Sequence, residues 1–541
     1  MIDATTVELP LVAAPLPAIR RRPARRRVAW HRAGRGIVRT TAGLALAWLL
    51  PLAAQATGTG LLSPVLVLLA TAGLLRVGHS LLDRLMVGLA LLLGATTLAG
   101  LGSALWPWGL HQVPLAGTAL TVLVLVSTLT GRPFRLPRPA WSDATVVATA
   151  VAVPLYLVKP LATASFGRRI GMLAYGEDLA RHLSLAQGIS QVGGYLFERQ
   201  DAAAPLVYPA LTAYPQGWHL TAALLDGYLA PGALAGGQGA LTQLVILTTA
   251  TYGLLTLAVG WAVLWIGGPL LRAGARPLLV AGVVGSALAF SDVMLVYSHG
   301  YPSQCFGLAE LALLVAVLVR PVGRWRTQIV AVAALLVALG FSYYLYLPAA
   351  AIATALWALR YRRELLWHWP CAAAVLPVLA VAAFPLLYGL RQHQLAGLDT
   401  VGTPRMAGRD LTLALLLIAL AGTLAARRAR AALWRRYWLA LTGPGALLVA
   451  VGAWQLHGRG TVGYYFEKSL LALEVLALLG MGAVANLLPP PRRRAPGIRR
   501  LTGLAPAVAL GVAAYTVIGG FWGDSSIRGP DAPAPVARQW A

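Results

Sequence analysis

The stretch GALTQLVILTTATYGLLTLAVGWAVLWI, residues 239–266, contains no charged residue. A helix needs about 20 consecutive apolar residues to cross the roughly 30 Å hydrocarbon core of a bilayer. This stretch is long enough, and it predicts a transmembrane helix. Similar apolar runs recur along most of the chain, so this pattern decides the fold class.

Composition supports a membrane protein. The chain has 541 residues, of which 58% are hydrophobic and 11% charged, and its mean hydropathy is +0.70. Soluble domains carry about 25% charged residues. The net charge of +26 lies in short arginine clusters between apolar runs, which indicates membrane topology and not a nucleic-acid groove. The two cysteines, Cys305 and Cys371, lie in or beside apolar segments, so neither a disulfide framework nor a zinc site is expected.

We expect an all-α, polytopic transmembrane helical bundle of about 13–15 spans. The segments near residues 58 and 347 are compatible with broken or re-entrant helices as well. The candidate spans are 40–57, 60–75, 82–106, 113–131, 143–159, 239–266, 277–297, 304–320, 327–347, 347–360, 369–390, 410–426, 434–454, 466–487 and 503–522.

Alternating these spans places the arginine clusters on one side, as the positive-inside rule requires of cytoplasmic loops. The opposite loops are rich in Trp, Tyr, His and Gly. We therefore expect a plasma-membrane protein with a cytoplasmic N-terminus and short surface helices in its large extracytoplasmic loop. The predicted segments are a basic cytoplasmic tail with little regular structure (1–39), N-terminal transmembrane helices (40–159), an extracytoplasmic active-site loop (160–238), C-terminal transmembrane helices (239–522) and a short extracytoplasmic tail (523–541).

The loop 160–238 carries the most polar chemistry. Residues 173–192 have a helical composition that would place Asp178 and His182 on one face, and Gly193-Gly194 would end that helix. A second helix is expected from Trp218 to Leu229. A carboxylate at the membrane surface can act as a general base, and Asp178 is our candidate. Glu177 points about 100° away on a helix and is the second candidate.

Two stretches of the loop also have ordinary structural explanations. Asp178, Arg181 and His182 are equally compatible with a solvated helix face. The segment from Tyr214 to His219, Tyr-Pro-Gln-Gly-Trp-His, is compatible with a turn whose aromatic residues anchor a helix end at the interface. In the functional interpretation Tyr214, His182 and His219 bind substrate or assist a metal. A His-x-x-x-His zinc motif is absent from the sequence.

The Glu177-Asp178 pair with His182, followed by the segment from Tyr214 to His219, resembles the large integral-membrane glycosyltransferases of the GT-C fold. The similarity is greatest to an actinobacterial branch allied to the arabinofuranosyl- and mannosyltransferases. It implies a polyprenyl-phosphate sugar donor, a loop carboxylate as catalytic base, and these roles for Asp178 or Glu177. Four or five spans precede the loop here, where the usual family pattern has one.

Further candidates lie near the predicted outer face. His299 and Arg391 could contact substrate, and Lys468 is the strongest candidate for binding a phosphate, with a snorkelling anchor as the alternative. Arg168 and Arg169 are exceptions to the excess of arginine in the predicted cytoplasmic loops, and binding of a lipid phosphate would explain such exceptions.

Together these features predict an inverting membrane glycosyltransferase that builds cell-envelope glycan. The sugar would be arabinofuranose or mannose, and the acceptor a glycan or glycolipid in the bilayer. Phosphate chemistry of this kind also makes a divalent cation, Mg²⁺ or Mn²⁺, a candidate cofactor; nucleic acid is not an expected partner. The alternatives are a transporter or flippase of a lipid-linked substrate, and an envelope polysaccharide polymerase or ligase.

Overall fold

The computed structural model describes residues 26–103, 105–175, 178–392, 394–399 and 408–488. These residues form an all-α bundle without strands. The helices before the large loop are α1 (Arg26–Ala56), α2 (Leu62–Leu74), α3 (Leu81–Gly102), α4 (Gln112–Thr130) and α5 (Trp141–Ala162). The loop holds α6 (Phe166–Tyr175), α7 (Leu179–Val192), α8 (Gln200–Ala203) and α9 (Gly217–Leu229).

The helices after the loop complete the bundle. They are α10 (Gly237–Gly267), α11 (Arg276–Phe290), α12 (Leu295–Ser298), α13 (Pro302–Val319), α14 (Trp325–Ser342), α15 (Leu347–Arg360), α16 (Arg362–Trp367), α17 (Trp369–Arg391), α18 (Arg409–Leu424), α19 (Arg428–Arg459) and α20 (Tyr464–Leu479), with a 3₁₀ extension over Gly480–Asn486.

The prediction of a polytopic helical membrane protein is confirmed. Ten helices of the described residues are long and apolar enough to cross a membrane. An eleventh candidate is the pair of segments Arg276–Phe290 and Asp292–Ser298, which meet at an angle of 58°. Three other predicted spans fall on shorter helices, α2, α15 and α18. The predicted span 503–522 and the predicted tail 523–541 lie outside the described residues.

Two predicted boundaries are wrong. The first 39 residues were expected to have little regular structure, yet α1 begins at Arg26. No proline lies between Pro23 and Pro51, and arginine and alanine favour a helix there. The predicted helix 173–192 is wrong at Asp178, because α7 begins only at Leu179. Asp178 therefore lies just before a helix and not on its face, as aspartate is disfavoured in helix interiors, and its side chain makes no capping hydrogen bond but pairs with Arg181.

The centre of the bundle is α13, in which every residue is buried. It packs against α10, α14, α19 and α20. Small residues allow such close packing between membrane helices. Gly94 of α3 is one of them, since a Cβ there would lie 2.5 Å from the Cα of Ala334 on α14.

The arginine-rich loops meet at one end of the bundle. Arg76 Nη2 donates to the carbonyl of Pro133 (2.6 Å), and Arg84 Nη1 donates to the carbonyl of Arg135 (2.8 Å). On the same end, Arg272 Nη1 donates to Asp83 Oδ2 (2.9 Å), a carboxylate that is 1% exposed. The loop 160–238 packs against the other end, where Arg199 Nη2 donates to the carbonyl of Ser103 just after α3 (3.1 Å).

Candidate functional site

The large loop is folded onto the bundle end and is not a detached surface layer. Tyr195 and Leu196 are completely buried, and Trp218 of α9 is 2% exposed. The indole of Trp218 donates to Thr251 Oγ1 of α10 (2.8 Å). The polar residues of the loop are therefore held in fixed positions above the spans.

Two histidines of the loop form a buried pair. His182 Nδ1 and His219 Nε2 are 2.8 Å apart, and the rings are stacked with centroids 5.0 Å apart. Burial, together with the smaller effect of the nearby charges of Lys468 and Arg181, lowers the pKa of His182 to about 3. Burial also lowers the pKa of His219 well below its usual value. The pair is therefore neutral, and Nε2 is the remaining ring nitrogen through which His182 could contact a ligand.

Asp178 is connected to this pair through the first turn of α7. The backbone N–H of His182 donates to the carbonyl of Asp178 (2.9 Å). The Asp178 side chain is 20% exposed, and its Oδ1 accepts a hydrogen bond from Arg181 Nη1 at 2.9 Å. Arg181 is 67% exposed, so this ion pair contributes little to stability. The carboxylate remains accessible for chemistry.

Lys468 lies in a cage of tyrosine rings. Its Nζ is 3.9 Å from the ring centroid of Tyr301, 4.1 Å from that of Tyr464 and 5.8 Å from that of Tyr343. The residue is 3% exposed. A desolvated ammonium is attracted by the faces of aromatic rings, so the cage allows a cation to be buried near the N-terminal end of α20.

Tyr464 joins the carboxylate to the cation. Its hydroxyl donates to Asp178 Oδ2 at 3.5 Å, while its ring faces Lys468 Nζ. Tyr214 lies near the same carboxylate: burial raises its pKa well above the usual value, and the charge of Asp178 adds to that effect. A base, a cation and aromatic rings therefore share one site, which we call the tyrosine site: Asp178, Tyr214, Tyr301, Tyr343, Tyr464 and Lys468.

The structure brings most of the predicted site residues together. His182 and His219 pair, and both rings lie edge-on to Tyr214, with centroids 5.6 and 5.8 Å away. His299 stacks on Tyr301 at 6.1 Å and so borders the tyrosine site. Glu177 lies outside the described residues.

Arg391 is separate. It is an exposed residue at the end of α17, and none of the described contacts of the tyrosine site includes it. The tyrosines that surround Lys468 were noted in the sequence only as aromatic residues of outer loops. The signal that could have identified the cage was the position of these tyrosines: the alternating spans predict that all of their loops lie on the same side of the membrane.

No group of three or more His, Cys, Asp or Glu side chains that could hold a metal occurs in the described ranges. Mg²⁺ and Mn²⁺ favour carboxylate and carbonyl oxygens. Asp178 is the carboxylate of the tyrosine site, and one of its oxygens already pairs with Arg181. The positive charge that the site itself supplies is that of Lys468.

Comparison of the chain with known protein families, with curated proteins and with solved structures finds no match.

Proposed function

We propose that this chain is a membrane glycosyltransferase of the GT-C type that moves a sugar from a polyprenyl-phosphate donor to a cell-envelope glycan or glycolipid. One observation carries the proposal. Tyr464 contacts the Asp178 carboxylate through its hydroxyl and Lys468 Nζ through its ring, so a base and a buried cation face one place at the end of the bundle.

The reaction needs both groups. A hydroxyl oxygen of the acceptor attacks the anomeric carbon of the donor sugar, and its proton passes to the Asp178 carboxylate. The bond between that carbon and the phosphate oxygen breaks, and the polyprenyl phosphate leaves with the electron pair. Lys468 stabilises the negative charge that develops on the phosphate. The sugar's configuration inverts because attack and departure occur on opposite faces.

The surrounding rings suit a sugar substrate. Tyrosine offers an apolar face for the C–H side of a sugar ring and a hydroxyl for its polar edge. Tyr214 and Tyr464 lie next to the carboxylate, and Tyr301 lies edge-on to Tyr464 with ring centroids 6.1 Å apart. The positive-inside rule supports an extracytoplasmic position for this end of the bundle, because the arginine-rich loops meet at the opposite end.

The proposal is tested by a matched pair of variants in membranes. Asp178→Asn removes the base, and Asp201→Asn makes the same chemical change at an exposed residue of the same loop. Both are assayed with radiolabelled polyprenyl-phosphate sugars, including arabinofuranose and mannose. We expect Asp178→Asn to lose about 10²–10⁴-fold in transfer rate, as for a general base, while Asp201→Asn stays near wild type. Equal rates for the two variants would remove Asp178 from the mechanism.

One observation supports a transporter or flippase as the second candidate. Glu310 of α13 is completely buried within a span, and its Oε2 has no hydrogen-bond partner. An acid inside a membrane span is a functional candidate by default. Flipping of a lipid-linked sugar in sealed vesicles that is abolished by Glu310→Gln, without any sugar transfer, would favour this candidate.

A further inference from the structure

An apolar groove runs between α5 and α11 on the surface of the bundle that the described residues form. Its cavity volume is about 620 Å³. Small residues form most of its walls, among them Ala148 and Ala152 of α5 and Ala281 and Gly285 of α11. Tyr156 and Phe290 line its upper end, the end nearer the loop 160–238, with ring centroids 5.4 Å apart.

The length of the groove indicates what could fill it. Trp141 and Tyr156 both line it, and fifteen residues of helix span about 22 Å. One leaflet of the hydrocarbon core is only about 15 Å thick, half of about 30 Å. The groove therefore passes the bilayer midplane, where the chains of an ordinary phospholipid end. A polyprenyl chain is long enough to follow it throughout.

A positive charge continues the groove-lining face of α5. Tyr156 lines the groove, and Lys159 follows it by three residues in α5; residues three apart on a helix are neighbours on its surface, so Lys159 lies one turn beyond the ring at the end of the groove. Lys159 is exposed, as is Arg168 of the adjoining α6. Within the described ranges no carboxylate pairs with either of them. A phosphate at the upper end of the groove would meet these cations.

The pair of exposed cations Lys159 and Arg168, which we call the cationic mouth of the groove, is separate from the tyrosine site. Lys468 belongs to α20 and is enclosed by tyrosines from other elements, whereas Lys159 and Arg168 lie on α5 and α6. α6 connects the two places along the chain, since it begins four residues after α5 and ends just before Asp178. Two cationic places on the same end of the bundle suit two anionic lipids.

We infer that the α5–α11 groove binds the lipid acceptor of the reaction as a polyprenyl phosphate derivative. Its chain lies in the groove and its phosphate contacts Lys159 and Arg168. The inference rests on the proposed glycosyltransferase function, and it narrows the acceptor from any envelope glycan to a lipid-linked one. The donor phosphate keeps its place at Lys468.

The test is photo-crosslinking of the full-length protein in lipid nanodiscs. The probe is a polyprenyl phosphate with a diazirine in its chain, and crosslinked peptides are identified by mass spectrometry. We expect labelling on α5 and α11. Ala148→Phe fills the groove and should reduce this labelling about tenfold or more. Val147→Phe is the control, since Val147 is an exposed residue of α5 outside the groove. Ala281→Phe on the opposite wall replaces Ala148→Phe if that variant does not fold.

Two further probes identify the head group and the chain. Lys159→Gln should reduce labelling by the polyprenyl phosphate about fivefold and leave labelling by the corresponding polyprenol unchanged. A diazirine phosphatidylglycerol should label the groove less than the polyprenyl phosphate does. Equal labelling of Ala148→Phe and Val147→Phe, or stronger labelling by phosphatidylglycerol, would overturn the inference.

Sugar transfer to a water-soluble glycan acceptor is measured separately. Sugar transfer without labelling of the groove would support the proposed function and would contradict the inference that the groove binds a lipid acceptor. Labelling of the groove without transfer to any acceptor removes the glycosyltransferase, and with it the assignment of the bound lipid as its acceptor.

Discussion

Gly217, the first residue of α9, lies against Ser342 at the end of α14 so closely that a Cβ on Gly217 would be 2.6 Å from Ser342 Oγ and 2.9 Å from the Ser342 backbone nitrogen. Backbone atoms cannot yield as a side chain can. This contact fixes the start of α9, and with it the position of His219 two residues later.

Gly217→Ala should therefore destabilise the protein by about 1–3 kcal/mol, the usual cost of overpacking. Gly227 is the matched control, because it lies in the same helix with no atom within 4 Å of a Cβ built on it. Gly227→Ala should be neutral or stabilising by up to about 1 kcal/mol. Thermal unfolding in one detergent compares the two, and equal melting temperatures would contradict the close contact.

The buried ion pair of Asp83 and Arg272 lies at the opposite end of the bundle, and breaking it should cause a larger loss of stability. Asp83 is 1% exposed and Arg272 is 17% exposed, and the indole of Trp261 also donates to Asp83 Oδ1 (3.1 Å). Asp83→Asn would leave the guanidinium without its buried counter-charge, at a cost of about 3–5 kcal/mol. Arg181→Gln breaks an exposed ion pair and should cost less than about 1 kcal/mol. Denaturation of both variants in matched micelles measures the difference.

The histidine pair predicts a stability that depends on pH. The folded pKa of His182 is lowered to about 3 from an unfolded value of about 6.5, so between these values the unfolded chain binds the extra proton. Stability should therefore rise with pH from about 3 to about 6.5, by up to about 1.4 kcal/mol per pH unit for this histidine, and His219 should act in the same direction.

Melting temperatures between pH 5 and 8 measure this dependence. The slope should decrease in His182→Gln and decrease again when His219→Gln is added. His368→Gln serves as the control, because His368 is only partly buried and lies in the loop after α16. If all variants kept the wild-type slope, the pair would not be the group that titrates.

Lys468 should matter for the chemical step. Lys468→Met keeps an unbranched chain in the tyrosine cage without the charge. If the proposed function holds, the sugar-transfer rate should fall about 10²–10³-fold, as when one group that stabilises a developing anion is removed. Arg391→Gln removes a cation that lies apart from the site and should leave transfer near wild type. A loss in Arg391→Gln as large as that in Lys468→Met would place the phosphate elsewhere.

Two substitutions of Tyr464 distinguish the role of its ring from the role of its hydroxyl. Tyr464→Phe keeps the ring over Lys468 and should change stability by less than about 1 kcal/mol, because the hydroxyl is 3.5 Å from Asp178 Oδ2 and the hydrogen bond is long. Tyr464→Leu removes the cation–π contact and should cost about 2 kcal/mol or more. Unfolding measurements distinguish them; similar losses would make the hydroxyl the important group.

The spans could be predicted from the sequence because an apolar run of the right length has few other possible structures in a membrane. Bends were harder to foresee. The segment 277–297 is uniformly apolar up to Phe290, yet the helix breaks at Ser291, whose side chain accepts a hydrogen bond from the Val293 N–H (3.2 Å). Such local capping competes with helix continuation by only a small free energy.

The candidate site was predictable in its residues but not in its contacts. His182 and His219 are 37 positions apart, and no helical period relates them; only the packing of α7 on α9 brings them together. Asp178 could have been placed before the helix, since aspartate prefers that position. The burial of Lys468 among tyrosines follows from three loops that meet at one end, which no single stretch reveals.

The chain has only two lysines, Lys159 and Lys468, and they lie in the two places proposed for the two lipids. Lys159 is exposed, whereas Lys468 is 3% exposed. An amine-specific acylating reagent should therefore modify Lys159 quickly and Lys468 slowly, and mass spectra of the digested protein would follow each lysine separately from the N-terminal amine. Protection of Lys159 would then report occupancy of the groove, and protection of Lys468 would report occupancy of the tyrosine cage, without any label being introduced.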